Sequence, residues 1–419
     1  MSASAQTAPP PVAAVSSPAR TEGLRRRIQL VAVLGALSAI GPLSIDLYLP
    51  AFPTLAGDLH AGQSAIQLTL TACLAGLALG QLFVGPLSDT LGRRRPLLVG
   101  IALYLAASVG CALATSAPAL AAGRALQGLS GAAGVVIGRA IVRDLYAGSE
   151  AARFFSRLML VVGVAPIAAP VLGAELLRYT SWQGLFWVLA AVAAVLLLVV
   201  GFGLTETLPP ERRRAGGLAD TARTYGRLAT DRVFAGYALS GGLAFAAMFA
   251  YISGSSFVLQ DVYGISAQAY GLLFGLNALG LTAMSQVNGQ LVGRVSTRTL
   301  LRAGLVITAG GGLLLLAVVA THAGGLAGVA VALFIAVSGI GFVMPNSTAL
   351  ALSDHPEAAG TASALLGAVQ FVVSALAAPL VGALGGHTAL PMAVVIATSG
   401  ALAVLAFAVL ARPARPAPR

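Results

Sequence analysis

The sequence predicts an all-α integral membrane protein of twelve membrane-spanning helices arranged as two six-helix halves. Three observations predict it. Of the 419 residues, 58% are hydrophobic and only 9% are charged, whereas a soluble domain carries roughly 25% charged residues because its surface must face water. Apolar stretches of about 20 residues, the length that crosses a hydrocarbon core as a helix, recur along the whole chain. The 50 glycines and abundant alanine suit helices packed backbone to backbone, since association in lipid depends on small residues that allow close approach.

Taken in order, residues 1–27 form a polar, Ala/Pro/Ser-rich tail. The apolar run after Arg25, Arg26 and Arg27 exceeds the roughly 7 to 15 residues of a signal-peptide core, so it reads as a retained first span. Apolar runs between charged, Pro/Gly or polar breaks place spans at 28–50, 63–87, 95–116, 118–142, 152–177 and 184–205, the first half of the chain (28–205). A charged stretch over 206–232 lacks an apolar run and reads as a tether too short to fold alone. The second half (233–411) repeats the pattern, with spans at 233–257, 267–293, 298–320, 324–352, 358–384 and 388–411, and a tail follows at 412–419. Two equal halves suit a transporter built from parallel repeats. Internal repetition is faint in the residues themselves: Gly85-Pro86-Leu87 followed by Arg93 has a rough counterpart in Gly289-Gln290-Leu291 followed by Arg294.

Orientation follows from the basic residues, all of which are arginine. All but Arg124, Arg139 and Arg178 fall on one side of the predicted spans, 22 of the 25. Short cytoplasmic loops retain Lys and Arg while exported ones exclude them, so both termini are expected in the cytoplasm. The net charge of +11 thus reports topology and attraction to anionic headgroups, and a nucleic-acid partner is excluded. Cys73 and Cys111 lie in apolar segments without metal-ligand spacing and read as packing residues. The four histidines, His60, His322, His355 and His387, fall in or near loops, and Asp354 with Glu357 is the main close acidic pair. Without a metal cluster, a phosphate-binding loop or a nucleophile motif, an enzyme such as a membrane transferase has no convergent groups to work with. A receptor has no sizeable soluble domain with which to signal.

Charge inside a span costs several kcal/mol, so the ionisable groups found there usually pair, line a cavity or carry function. The clearest are Asp46, toward the outer end of the first span, and Arg124 in the fourth; Arg139 and Glu175 lie nearer to span ends. Asp46 shares a helical face with Gly35, Ser38 and Pro42, and that face should point into the bundle. A carboxylate is costly in such surroundings, which suits the group to taking up and releasing a proton. The alternative is that Asp46 sits at the water interface, one turn from Pro50, and ends the helix.

Arg124 forms a stripe with Gln127, Gly128 and Gly131, joining a permanent charge, an amide and two gaps in the side-chain wall. Such a stripe can face a polar cavity, where Arg124 would tune Asp46 or hold substrate; the alternative is an arginine that caps helix carbonyls. In the fifth span Gly163, Pro166, Pro170 and Gly173 mark one face with kinks and close contacts. Further candidate cavity groups are Tyr251, Asn277, Asn346 and Gln370, each a polar side chain inside an apolar span and each equally suited to an interhelical hydrogen bond.

At the junction of the second and third spans stands Gly85-Pro86-Leu87-Ser88-Asp89-Thr90-Leu91-Gly92-Arg93-Arg94-Arg95, which closely resembles the signature loop of the major facilitator superfamily. Arg124 with Gln127-Gly128 resembles the family's motif in the fourth span. Pro166, Ala169-Pro170 and Gly173 resemble its antiporter motif, with Ala169 and Ala174 where that motif often has glycine. More narrowly, the run Asp46 to Pro53, the segment from Arg139 through Arg143-Asp144, Trp182 with Phe186, Glu206-Thr207-Leu208, Tyr251-Ile252-Ser253, Pro345-Asn346 and Gly360 to Ala364 resemble the bicyclomycin and chloramphenicol resistance (Bcr/CflA) group.

The resemblance implies the major facilitator fold and proton-coupled export of drug-like molecules by alternating access, with uptake of a nutrient as the alternative. It implies that Asp46 carries the proton and that Arg124 couples proton to substrate. The expected partners are a small-molecule substrate, protons and the bilayer, for a monomer that uses the proton gradient and no cofactor. It further implies a cytoplasmic gate at Gly85, Asp89, Gly92, Arg93, Arg94 and Asp144, in which Asp89 faces the N-terminus of a neighbouring helix and Arg93 pairs with Asp144. Arg94 and Arg95 are expected only to anchor topology.

Overall fold

The computed structural model describes residues 20–146, 148–213, 218–353, 359–383 and 388–411. Asp354, His355, Glu357 and His387 lie outside the described residues. The helices are α1 (Arg20–Asp46), α2 (Phe52–Asp58), α3 (Gln63–Leu91), α4 (Arg94–Ala112), α5 (Ala117–Leu145), α6 (Gly148–Leu176) and α7 (Trp182–Gly203) in the first half. α8 (Leu218–Thr230) lies in the connecting stretch. The second half holds α9 (Arg232–Phe257), α10 (Ala267–Leu291), α11 (Thr297–Thr321), α12 (Gly325–Ser353), α13 (Ala359–Ala383) and α14 (Leu390–Leu410).

The first span differs from the single helix expected over 28–50. α1 begins at Arg20 and stops at Asp46, and the chain then passes through a 3₁₀ turn over Leu49–Ala51 into α2. Pro50 is the cause: it lacks the N–H that would bond the Asp46 carbonyl, and its ring would press on that same carbonyl. Together the pieces give an apolar stretch from Leu30 to Asp58.

Ten of the described helices are long and apolar enough to cross a bilayer, and α6 adds the shorter apolar segment Gly163–Leu176. α10 has the length but carries Gln268, Asn277, Ser285, Gln286, Asn288 and Gln290, the composition of a helix that faces protein as well as lipid. With it the described residues hold twelve membrane-length elements, six on each side of α8. The tether read from 206–232 contains more order than expected, because α8 packs on α9 and α13 and buries Leu228.

Packing reveals the repeat that the residues barely show. In the first half α3 packs on α5, α4 on α7 and α1 on α6; in the second, α10 packs on α12, α11 on α14 and α9 on α13. Glycines set the closest approach: a Cβ on Gly128 of α5 would run into the Cys73 carbonyl of α3. The halves join along two seams, α3 against α13 and α6 against α10.

A buried core common to both halves is found at one end only. At the arginine-poor end a single core contains Tyr48, Phe52 and Phe186 of the first half with Phe257, Tyr270 and Phe274 of the second. Toward the arginine-rich end the cores are separate, one around Leu34, Ile101 and Ile137 and the other around Phe234, Leu301 and Phe407. The buried apolar core is therefore shared by the two halves on the arginine-poor side and divided between them on the other.

Candidate functional site

Asp46 ends α1 at the level of the shared core and is only 4% exposed. It is thus the last residue of its helix, as the alternative reading had it, yet it is buried rather than at an interface. Its Oδ1 has no hydrogen-bond partner. The carboxylate lies within electrostatic reach of the phenols of Tyr251 and Tyr270, both in the other half. Tyr251 stacks on Phe274 at 5.1 Å between centroids and accepts a 2.9 Å hydrogen bond from Asn277 Nδ2. Asp46 therefore sits at the joint between halves, facing polar groups of α9 and α10.

Arg124 is fully buried in α5. Its Nη1 donates to Gln127 Oε1, and Gln127 Nε2 passes the chain on to Ser108 Oγ at 2.7 Å. The guanidinium lies 4.4 Å above the ring of Tyr48 and 5.8 Å from that of Phe186. Its Nε and Nη2 have no partner. The positive charge is balanced by aromatic faces and an amide, an arrangement worth a few kcal/mol at most when desolvated. Arg124 makes no ion pair with Asp46; the residue beyond α1 that meets it is Tyr48, two positions on. Removing either charge from water costs several kcal/mol, and each stands here without an ionic partner.

The signature loop is folded around Arg93. Arg93 Nε donates to Asp144 Oδ2 at 2.9 Å, while Nη1 reaches Asp89 Oδ1 at 2.5 Å and Ser88 Oγ at 2.8 Å. Asp89 thus pairs with Arg93 within its own half. Arg94 departs from its expected role. Its Nε donates to the Leu204 carbonyl at 2.8 Å and its Nη2 to that of Gly201 at 2.5 Å, so it caps the C-terminal end of α7 instead of serving only as a topological anchor. The second half repeats this device, with Arg298 at the start of α11 donating to the Ala411 carbonyl at 2.6 Å beyond the end of α14.

Sequence reasoning gave Glu206 no role, although it organises this loop. Its Oε1 accepts from the backbone N–H of Arg93 (2.7 Å), Thr207 and Leu208 (both 3.0 Å), and its Oε2 from that of Arg94 (3.1 Å). Burial opposes ionisation of Glu206, yet these four donors outweigh it and hold the carboxyl below its ordinary value. Gly92 is required beside it: φ is +91°, and a Cβ there would lie 2.5 Å from Glu206 Oε2. Gly85 is half-buried and packs near Val136.

The remaining candidates separate into structural and accessible groups. Asn346 is committed to Asn288 Oδ1 at 2.6 Å and the Phe342 carbonyl at 2.7 Å, a buried α10–α12 bridge. Tyr251 and Asn277 are likewise paired with each other. Gln370 is half-buried on α13. In α6, Gly173 lets the Leu47 carbonyl approach, and Pro170 lies where Gly271 of α10 crosses the seam, whereas Gly163 has nothing within 4 Å of where its Cβ would be. Pro166 is half-buried one turn before Pro170.

Comparison with known proteins gives a consistent picture. The sequence pattern of the Major Facilitator Superfamily matches residues 34–378. The chain is 41% identical over 385 residues to an uncharacterised MFS-type transporter, YdgK, of Bacillus subtilis, covering 91% of this chain and 95% of that protein. It is 31% identical over 378 residues to a bicyclomycin resistance protein homolog of Haemophilus influenzae, covering 90% and 94%. Among solved structures, the nucleoside transporter NupG (D323A mutant) shares the fold with a TM-score of 0.75 at 12% identity, over 92% of this chain and 100% of that one.

Proposed function

The chain belongs to the major facilitator superfamily, and from that premise we propose that it exports small drug-like molecules in exchange for protons. It is a multi-pass membrane transporter of small molecules; the direction, the coupling ion and the substrate class are the reading argued here. The observation that carries it is Asp46, a buried carboxyl with an unpartnered oxygen at the joint between two halves that share a buried core on one side and not on the other.

Alternating access supplies the cycle. With the arginine-rich face in the cytoplasm, as the distribution of charge favours, the end at which the halves share no buried core faces inward. Substrate enters between the halves from that side. An ionised Asp46 cannot stay cheaply in this core, so proton occupancy biases which side closes. Proton uptake from outside and release inside then returns the empty carrier. Arg124, held by Gln127 over Tyr48, places a fixed charge in the same half, where it raises the cavity's preference for one protonation state over the other. The transporter works as a monomer, and the gradient is its energy source. Resemblance to the bicyclomycin and chloramphenicol resistance group, together with the named relative at 31% identity, favours antibiotics of the bicyclomycin or phenicol type among substrates.

The deciding experiment records pH inside proteoliposomes of purified protein on addition of bicyclomycin, phenicols or cationic dyes, for wild type and Asp46→Asn. Proton movement is expected only with substrate and only with Asp46 present. Folded wild-type protein that moves no protons with any of these compounds would sink drug–proton exchange and turn attention to nutrient uptake.

A further inference from the structure

On the arginine-poor side the halves are held by a small set of hydrogen bonds with one common design. Ser256 Oγ donates to the Leu49 carbonyl at 2.6 Å, and Gln260 Nε2 donates to the Pro50 carbonyl at 3.2 Å. Gln67 Nε2 donates to the Ser253 carbonyl at 3.2 Å, and Gln268 Nε2 to that of Ala174 at 3.0 Å. Every one of these bonds runs from a side chain of one half to a backbone carbonyl of the other. The partner surface needs no particular side chain, so the donors alone determine whether the bond forms.

Two of the four converge on the break in the first span. Ser256 and Gln260 stand one helical turn apart and are themselves joined at 2.8 Å. Gln260 belongs to a π-helical turn, Val258–Val262, at the end of α9; such turns recur at functional positions because they re-aim side chains that an α-helix would point elsewhere. Their acceptors belong to the 3₁₀ turn that Pro50 forces on the chain. Phe52 and Phe257 close over the same place, 5.6 Å between centroids. Three residues before Leu49 lies Asp46, sealed beneath this contact.

We propose that Ser256 and Gln260 are the positioning residues of the gate on the arginine-poor side, gripping the broken end of the first span so that Asp46 is reached from that side only when they let go. Calling this side external, and Asp46 a proton site, rests on the function proposed above; the gate itself does not.

Two readouts test it without substrate or proton movement, so they stand even if drug–proton exchange fails. Both use protein in which the buried Cys73 and Cys111 are replaced by alanine. Spin labels at Tyr179→Cys and Ala323→Cys, exposed connections of the two halves on the arginine-poor side, report the separation there. Losing two neutral hydrogen bonds in Ser256→Ala/Gln260→Ala is expected to raise the open-to-closed ratio on the order of tenfold. In an Asp46→Cys background, the rate of modification by a membrane-impermeant thiol reagent from that side should rise by a similar factor.

Ser256→Thr, which keeps the hydroxyl, should restore the parent distance distribution. Gln260→Ala alone covers the case in which the double variant does not fold. Unchanged distances and reactivity in folded variants would overturn the proposal, as would Ser256→Thr and Ser256→Ala shifting the distribution equally.

Discussion

Glu206 illustrates how a single residue can matter without lying in any cavity. Its carboxylate gathers four backbone N–H groups, those of Thr207 and Leu208 just after it and those of Arg93 and Arg94 at the N-terminus of α4, where the helix dipole also favours negative charge. A carboxyl held below its ordinary value contributes stability that is fully present above the unfolded value, about 4.3 for Glu, and is lost as pH falls through the folded one. Glu206→Gln should therefore lower the melting temperature at pH 7, and the gap from wild type should narrow as pH falls below about 4.3. A gap that is constant across that range would show that the charge is not what holds the loop. Arg124 yields a different expectation. Lysine keeps the charge but loses the planar face over Tyr48 and the fork that meets Gln127, so Arg124→Lys should cut substrate flux roughly tenfold or more, with thermal stability measured alongside to separate transport from folding. Both charges were legible in the sequence because an ionisable group inside an apolar run stands out. Gln127 stood out beside Arg124, and Tyr251 as a polar group inside a span, but the roles of Tyr48, Tyr270 and Ser108 were not legible, since they are ordinary residues of apolar segments until tertiary packing brings them in.

Elements were legible where apolar length decides the matter and less so where backbone chemistry does. All twelve spans were placed, but the first was drawn through Asp46 to Pro50 because its hydropathy is continuous, while the proline's missing N–H ends α1 one turn earlier. α8 was missed for the opposite reason: its apolar residues are too few to register as a run, yet Leu228 is enough to seat it. The glycines of α6 show how little spacing alone reveals. Gly163 and Gly173 belong to one motif by sequence, but only Gly173 meets a neighbour, the Leu47 carbonyl. Gly173→Ala should destabilise by about 1–3 kcal/mol through overpacking, whereas Gly163→Ala should stay within about 0.5 kcal/mol of wild type. Thermal melts of the two variants in the same detergent measure the contrast, and equal effects would mean that α6 is not positioned by its approach to Leu47.

At the scale of the whole molecule, charge asymmetry and the single closed end are two separate facts that have to be joined. Arginine placement argues that the face carrying α8 and the signature loop is cytoplasmic; packing shows that toward this same face the halves keep separate cores. If both hold, the described conformation takes substrate from inside, which is the loading state of an exporter. The orientation is open to direct measurement because Cys73 and Cys111 are buried and should leave a quiet background. Ala229→Cys, exposed on α8, and Tyr179→Cys, exposed between α6 and α7, are single reporters on opposite faces. In intact cells a membrane-impermeant maleimide should label Tyr179→Cys and spare Ala229→Cys, and permeabilisation should make both react. The reverse pattern would put α8 outside, and the end with divided cores would then face the exterior, as a carrier loading for uptake requires.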